Sequence, residues 1–310
     1  MGDYMSYWIV KLISKVLCLV PKFFRNAFAT FLGKFLYLFL PKWREFIMLE
    51  NIKNCLKVSD TRANEIGKES TLRFGKMAVE VMRFPTLNAG NIDDLVKVDA
   101  ESEENLKKAH SQGKGIIIAT AHYGNWELLG AYMGLKGYNM VSIARKQNNG
   151  QMDRFINEYR EMVGQKVVYN HGENSMFQVT RALRKKLALG VLYDQDTAEN
   201  GEELTLFGRK AVFPTGIAVL SRALKTPIVP SFVHNNPDGT VQIKFLEPFV
   251  TKKTKNKAAD LRNTLEKLVI ILEQEIAEDP AMWFWLHDRF KDGRAKYKQM
   301  LANKSLGKKK

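Results

Sequence analysis

The 310-residue sequence predicts an α/β protein: a mixed, largely parallel sheet flanked by helices, with an N-terminal membrane-associated helical segment. Three observations carry this. From Gly115 onward, short apolar runs alternate with helical periodicity, the rhythm of strands joined by helices. The stretch from Tyr4 to Pro41 is apolar and aromatic, yet Lys or Arg breaks it every few positions. Finally, 45% apolar and 26% charged residues are ordinary globular usage, which excludes disorder as the main state.

The elements follow in order. At about 100° per residue, Lys11, Lys15, Lys22 and Arg25 fall within roughly a quarter turn of one another. Opposite them stand Trp8, Ile9, Leu12, Ile13, Val16, Leu17, Leu19 and Val20, and Pro21 starts a second helix. This is the pattern of an interfacial helix, with its apolar face in the acyl boundary and its lysines at the headgroups. Residues 1–44 are therefore read as a membrane anchor, against two competing readings. A cleaved leader would need the apolar core that Lys11 and Lys15 interrupt, although Ala27-Phe28-Ala29 resembles a cleavage site. A helix buried against the protein's own core is the other. No uncharged apolar run reaches the ~18–20 residues of a simple spanning helix.

Residues 45–83 read as helical, with Met48, Leu49, Ile52, Leu56, Met77, Val79, Val81 and Met82 at helical spacing before Pro85. A short charged helix is expected at 101–110. Strands are expected at 115–120, 139–144, 166–169 and 187–193, with helices at 126–135, 151–163 and 174–186 between or after them. An irregular stretch then leads to helix 215–224 and strand 227–233, which is expected to pair with 241–246. Helix 257–277 and an aromatic segment at 281–290 close the body. Residues 45–290 form the main domain, and 291–310 a basic tail that frays.

Net charge is +15, from 48 Lys+Arg against 33 Asp+Glu. Most of it sits at the ends: seven basic against two acidic residues in 1–48, and eight against one in 291–310. Such ends suit an anionic surface, with a near-neutral body between them. Nucleic acid is disfavoured, because the aromatic residues cluster in the N-terminal apolar segment and do not interleave with the basic clusters. Two cysteines, Cys18 and Cys55, cannot build a disulfide framework and fit a reducing compartment.

Most catalytic signatures are missing: no nucleophile elbow, no P-loop, no H-E-x-x-H and no C-x-x-C. The five histidines (110, 122, 171, 234 and 287) show no ligand spacing, so no metal or cofactor is expected. One segment stands apart, Thr120-Ala121-His122-Tyr123-Gly124-Asn125-Trp126-Glu127. It begins at the carboxyl end of a buried strand, where open α/β sheets bind ligands. Gly124 permits a tight turn, Asn125 can cap the next helix, and Glu127 lies in its first turn. This spacing places a carboxylate within reach of the imidazole. Glu127 is then expected to hold one ring N–H, leaving the other nitrogen of His122 as a general base.

His122-x4-Glu127 resembles the H-x4-D/E motif of glycerolipid acyltransferases. The longer string His122 to Gly130, HYGNWELLG, is similar to the late acyltransferases of lipid A biosynthesis, the lauroyl/myristoyl transferase family. Further blocks agree in order: Arg145 after its strand, Asp194-Gln195-Asp196 with Leu206-Phe207-Gly208 and Ala211 to Gly216, and Asp279 to Phe290 with its paired tryptophans. The stretch Thr197 to Glu203 is more acidic than the family pattern, which bears on acceptor contacts.

The resemblance implies transfer of a fatty acyl chain from acyl carrier protein to a hydroxyl of a Kdo-bearing lipid A precursor at the cytoplasmic face of a bacterial inner membrane. His122 and Glu127 would be catalytic; Arg145, Asp194, Asp196 and Asn125 would bind substrate. Arg145 is left with three roles: a phosphate of the acceptor, the carrier's phosphopantetheine, or the oxyanion. Asp194 and Asp196 would orient Arg145 or contact the acceptor sugar. Trp283 and Trp285 read as packing or interfacial groups, and His287 and Arg289 as ties between the C-terminal segment and the body. Two other readings stay open: the same scaffold acting on another glycolipid or a lysophospholipid, and a non-catalytic basic membrane-binding protein.

Overall fold

A computed structural model describes residues 2–169, 174–197 and 201–307. His171, residues 198–200 of the acidic stretch and the last three lysines lie outside the described residues.

The chain opens with α1 (Gly2–Leu19) and α2 (Lys22–Leu38), then α3 (Lys42–Leu56) and α4 (Asp60–Val81). The expected single helical stretch at 45–83 is thus two helices. Lys57 takes a left-handed conformation that stops α3, and the Ser59 hydroxyl accepts from the Arg62 N–H to start α4. A short α5 (Ile92–Leu95), β1 (Val96–Lys97) and α6 (Ala100–Ser111) lead into the sheet.

The alternation then runs as expected: β2 (Ile116–Thr120), α7 (Trp126–Leu135), β3 (Met140–Ala144), α8 (Gly150–Met162), β4 (Lys166–Tyr169), α9 (Ser175–Arg184) and β5 (Ala188–Leu192). The stretch expected to be irregular holds a hairpin, β6 (Gly201–Leu206) and β7 (Arg209–Pro214). Its two-residue loop is Phe207-Gly208, both with positive φ, the backbone that matches strand twist. Leu204, Leu206, Ala211 and Phe213 alternate into the core. The chain ends with α10 (Gly216–Leu224), β8 (Ile228–Asn235), β9 (Val241–Phe245), α11 (Lys257–Glu278) and α12 (Gly293–Gly307). The basic segment expected to fray is thus largely helical and seated on α3, with the Tyr297 ring 5.4 Å from Phe46 and the Arg294 guanidinium 4.5 Å over Trp43.

The main sheet has seven strands in the order β1-β9-β8-β2-β5-β3-β4. Its neighbours are parallel except β8 and β9, which pair antiparallel as expected. Every residue of β2 is buried, and its side chains divide between two cores. Ile117 and Ala119 join the core formed with α3, α4, α9, α10 and α11; Ile116 and Ile118 join the one formed with α6, α7 and α8. With both faces covered, the loops at the carboxyl ends of β2, β3 and β5 gather along one edge.

The N-terminal helices face outward in an unusual sense. On α1, the side seated on the body carries Tyr7, Ser14 and Leu17: the Tyr7 hydroxyl donates to Glu158 at 2.9 Å, and the Tyr159 hydroxyl to Ser14 at 2.6 Å. Lys11 pairs with Glu158 at 2.7 Å. Trp8, Ile9, Leu12, Val16 and Leu19 are exposed, as are Phe23, Phe24, Phe31, Phe35, Leu38 and Phe39 of α2 and its end. Leu17, expected on the outer apolar face, is buried, because a helix docked on the body must seat one stripe. Close approach of α2 to α4 requires Gly33, where a Cβ would lie 2.7 Å from the Leu72 Cα. Among the described residues, no helix is long and apolar enough to cross a membrane.

Candidate active site

His122 sits on the loop between β2 and α7, with its side chain 17% exposed. Segment 282–284 straps that loop: the Gly124 N–H donates to the Met282 carbonyl, and the Phe284 N–H to the His122 carbonyl, both at 2.9 Å. Gly124 has φ +60°, and a Cβ there would lie 2.0 Å from the Val233 carbonyl oxygen. Only glycine fits this turn.

The carboxylate on the imidazole is Asp194, which follows β5, the neighbour of β2. Its Oδ1 lies 2.8 Å from His122 Nδ1, and its Oδ2 accepts from the His122 backbone N–H at 2.9 Å. Trp283 Nε1–H donates to the same Oδ2 at 2.8 Å. Burial alone would push the Asp194 carboxyl up, but the imidazole and these donors hold it at about 2. An ionised carboxylate can only accept, so Nδ1 carries the proton. In the neutral imidazole Nε2 then presents a lone pair, and the Gln195 carboxamide nitrogen lies 3.0 Å from it. Trp126, with its ring 4.8 Å from the imidazole, and Phe284, at 6.3 Å, wall the site.

This arrangement corrects the expected partner. Glu127 does not hold the imidazole; its two oxygens accept from Arg160 Nε at 2.8 Å and Nη2 at 2.5 Å. Glu127 lies in the first turn of α7 and its side chain turns toward α8, which carries Arg160. The pair is largely buried, with side chains 11% and 15% exposed.

The other expected site residues spread along the carboxyl edge. Asn125 caps α7, its Oδ1 accepting from the Leu128 N–H at 3.0 Å, while its amide donates to Glu80 at 2.6 Å. That buried carboxamide thus ties α7 to α4, and the residue also lines the cleft beside Trp126 and Phe284. Arg145 is exposed just beyond β3, with no ion pair among the described residues. Asp194 is on His122, and Asp196 pairs with Lys291 at 3.2 Å, so neither aspartate orients Arg145.

Sequence reasoning missed the roles of Gln195, Trp283 and Arg160. Trp283 read as packing but hydrogen-bonds Asp194; its position in the aromatic block was the available signal. Arg160 carried none beyond a helical position. Arg289 is buried with its guanidinium 4.2 Å over the Phe213 ring. Its three nitrogens have no hydrogen-bond partner among the described residues; burial pushes it down to about 10, against the pull of Asp194 and Asp196. It ties the C-terminal segment down by stacking. Main-chain carbonyls contribute as well, His287 accepting from Asn51 and Leu286 from Arg44.

Neither cysteine lies on the elements that position His122: Cys18 is on α1 and Cys55 on α3. Cys55 is buried, and burial pushes its thiol up to about 11. One group of potential metal ligands, His234, Glu275 and Glu278, brings its atoms within 4.8 Å of one another. Lys244 already pairs with Glu278 at 2.8 Å, and His234 Nε2 lies 2.7 Å from Glu275.

Comparison with known proteins agrees with the motif reading. The chain is 29% identical over 197 residues to a lipid A biosynthesis palmitoleoyltransferase of Escherichia coli, covering 62% of this chain and 61% of that protein. It is 27% identical over 161 residues to a phosphatidylinositol mannoside acyltransferase of Mycobacterium tuberculosis, covering 51% of each. A protein of the same name from Mycolicibacterium smegmatis is 22% identical over 240 residues, covering 75% of this chain and 76% of its own. The matched stretch thus spans between about half and two thirds of the length of the first two relatives. Residues 1–292 match the family described as bacterial lipid A biosynthesis acyltransferase, and the chain belongs to that family.

Proposed function

We propose that this acyltransferase-family protein moves a fatty acyl chain from acyl carrier protein to a hydroxyl of a Kdo-bearing lipid A precursor. The observation that carries the chemistry is the His122–Asp194 pair, which holds Nδ1 and turns Nε2 toward Gln195, so that Nε2 is the basic nitrogen of the neutral imidazole. The acceptor hydroxyl displaces Gln195 from Nε2. Its oxygen then attacks the thioester carbonyl while Nε2 takes its proton. Asp194 stabilises the imidazolium that forms. Collapse of the tetrahedral intermediate breaks the C–S bond, and the imidazolium returns the proton to the departing thiolate. A thioester is already activated, so no covalent enzyme intermediate is needed. Arg145, exposed at the same edge, meets an anionic group of the substrate.

Residues 1–44 serve as the membrane anchor, 45–290 as the acyltransferase domain and 291–310 as the basic tail. The exposed apolar faces of α1 and α2 lie in the acyl boundary of the inner membrane, on the cytoplasmic side. The basic ends favour both an anionic leaflet and an acidic carrier protein.

The mycobacterial relatives' name supports a second reading, in which the acceptor is a phosphatidylinositol mannoside. An acceptor panel tests both. Purified protein in mixed micelles is given acyl carrier proteins of several chain lengths, with a tetra-acylated Kdo-bearing precursor or a mannoside. A mass gain of one acyl chain on the first acceptor, lost in His122→Ala, is expected. Gain on the mannoside alone selects the second reading, and no gain on either rejects both.

A further inference from the structure

A half-open cavity of about 680 Å³ lies between α2, α4, residues 86–95 and the β8–β9 turn. It is within the size range of small-ligand sites. Five cations line it, Lys22, Arg25, Arg73, Lys76 and Arg83, against two carboxylates, Glu80 and Asp94. Arg73 is already neutralised by Asp279 and Glu69, and Lys76 lies 3.9 Å from Glu80. Lys22, Arg25 and Arg83 have no carboxylate within ion-pair distance among the described residues. Lys22 reaches only the Asp238 carbonyl at 3.4 Å, and Arg25 the Val20 carbonyl at 3.2 Å. The Nε of Arg83 is buried without any hydrogen-bond partner. Burial, and then the Arg25 charge, both push the Arg83 guanidinium down. Two converging, unneutralised guanidinium groups are costly in a protein unless an anion lies between them.

The cavity shares wall residues with a cleft beside the active site. Arg73, Lys76 and Glu80 also line the small cleft beside Gly124, Trp126 and Phe284, the last two of which wall His122. The cavity's α2 wall is Lys22, Arg25, Asn26, Ala29 and Thr30, on the same helix that exposes Phe23, Phe24 and Phe31. We infer that this cavity is a phosphate-ester site, in which Arg25 and Arg83, with Lys22 and Lys76, hold a phosphoryl group of a substrate whose reacting end is at His122. Guanidinium pairs suit the fork geometry of a phosphate. The inference rests on the acyl-transfer reading only for its choice of probes. The phosphate belongs either to the acceptor headgroup or to the pantetheine arm of the donor.

Calorimetry on the full chain in neutral detergent micelles separates these sources without requiring turnover. The probes are a phosphorylated disaccharide glycolipid and its dephosphorylated counterpart, and acyl-phosphopantetheine and acyl-pantetheine. Wild type is expected to bind one phosphorylated probe at least about tenfold more tightly than its phosphate-free partner, and Arg25→Gln/Arg83→Gln to lose that preference. Preference on the glycolipid pair assigns the acceptor; preference on the pantetheine pair assigns the donor. Arg83→Lys, which keeps the charge, should restore part of it. Should the double variant fold poorly, Arg25→Gln alone, on the exposed half of α2, gives the same reading. Equal binding within both pairs, or a preference unchanged in the variants, overturns the site. Binding without acyl transfer would keep the site and reject the reaction.

Discussion

At the scale of the residue, the site turns on which carboxylate meets the imidazole. Asp194 does, buried and held at about 2, while an unfolded aspartate titrates near 3.9. A depressed folded value contributes stability above the unfolded value, lost as pH falls through about 4 toward 2. The thermal midpoint of the wild type should therefore drop over that window, and Asp194→Asn should flatten the drop, as followed by circular dichroism. Glu127 acts differently. Removing it leaves Arg160 buried without a partner, so Glu127→Ala should cost about 3–5 kcal/mol of stability, read from denaturant melts. Cys55, buried and pushed up to about 11, should resist iodoacetamide at pH 8 in the folded chain and react on unfolding, as read by mass spectrometry.

His122 was legible because a histidine, a glycine and a capping residue follow a buried strand. Its partner was not, since Asp194 lies 72 residues away and only strand order brings β5 beside β2. Sequence proximity favoured Glu127, whose side chain leaves on the other side of α7.

At the scale of the element, periodicity located the central strands and helices within a residue or two. The misses have local causes. A Ser59 cap and a left-handed Lys57 divide what reads as one helical stretch, and Phe207-Gly208 closes a hairpin where no Asn-Gly or Asp-Gly marks it. The N-terminal helices were legible as amphipathic, while their docking on α8 and α4, through Tyr7, Ser14 and Gly33, needed the tertiary contacts. Because Trp8, Leu12 and Phe31 are exposed, changing all three to Glu should leave the melting temperature within a few degrees of wild type. Each side chain is worth about 1.5–3 kcal/mol when transferred from water. Flotation with anionic vesicles should show the triple variant released; a variant that stays bound places the anchor elsewhere.

At the scale of the whole molecule, charge and apolar surface fall on the same regions. In the proposed function, the exposed aromatic residues of α1 and α2, the basic cavity lined by α2 and the His122 loop would form a path from the membrane surface to the base. The β-sheet fixes one end of that path, since its parallel strands deliver His122 and Asp194 to one edge. The sequence showed the charge at the ends of the chain, but not that Arg73, Lys76 and Glu80 line both the cavity and the cleft, which depends on how α2 and α4 cross.

The most direct test compares the turnover of two carboxylate variants, Asp194→Asn and Glu127→Gln, in the acyl-transfer assay, below the melting temperature of each. The expected result is a fall in kcat of about 10²–10⁴-fold for Asp194→Asn with little change in KM, and a smaller fall for folded Glu127→Gln. A near-normal kcat in Asp194→Asn beside a collapse in folded Glu127→Gln would contradict the assignment and return the role of orienting His122 to Glu127.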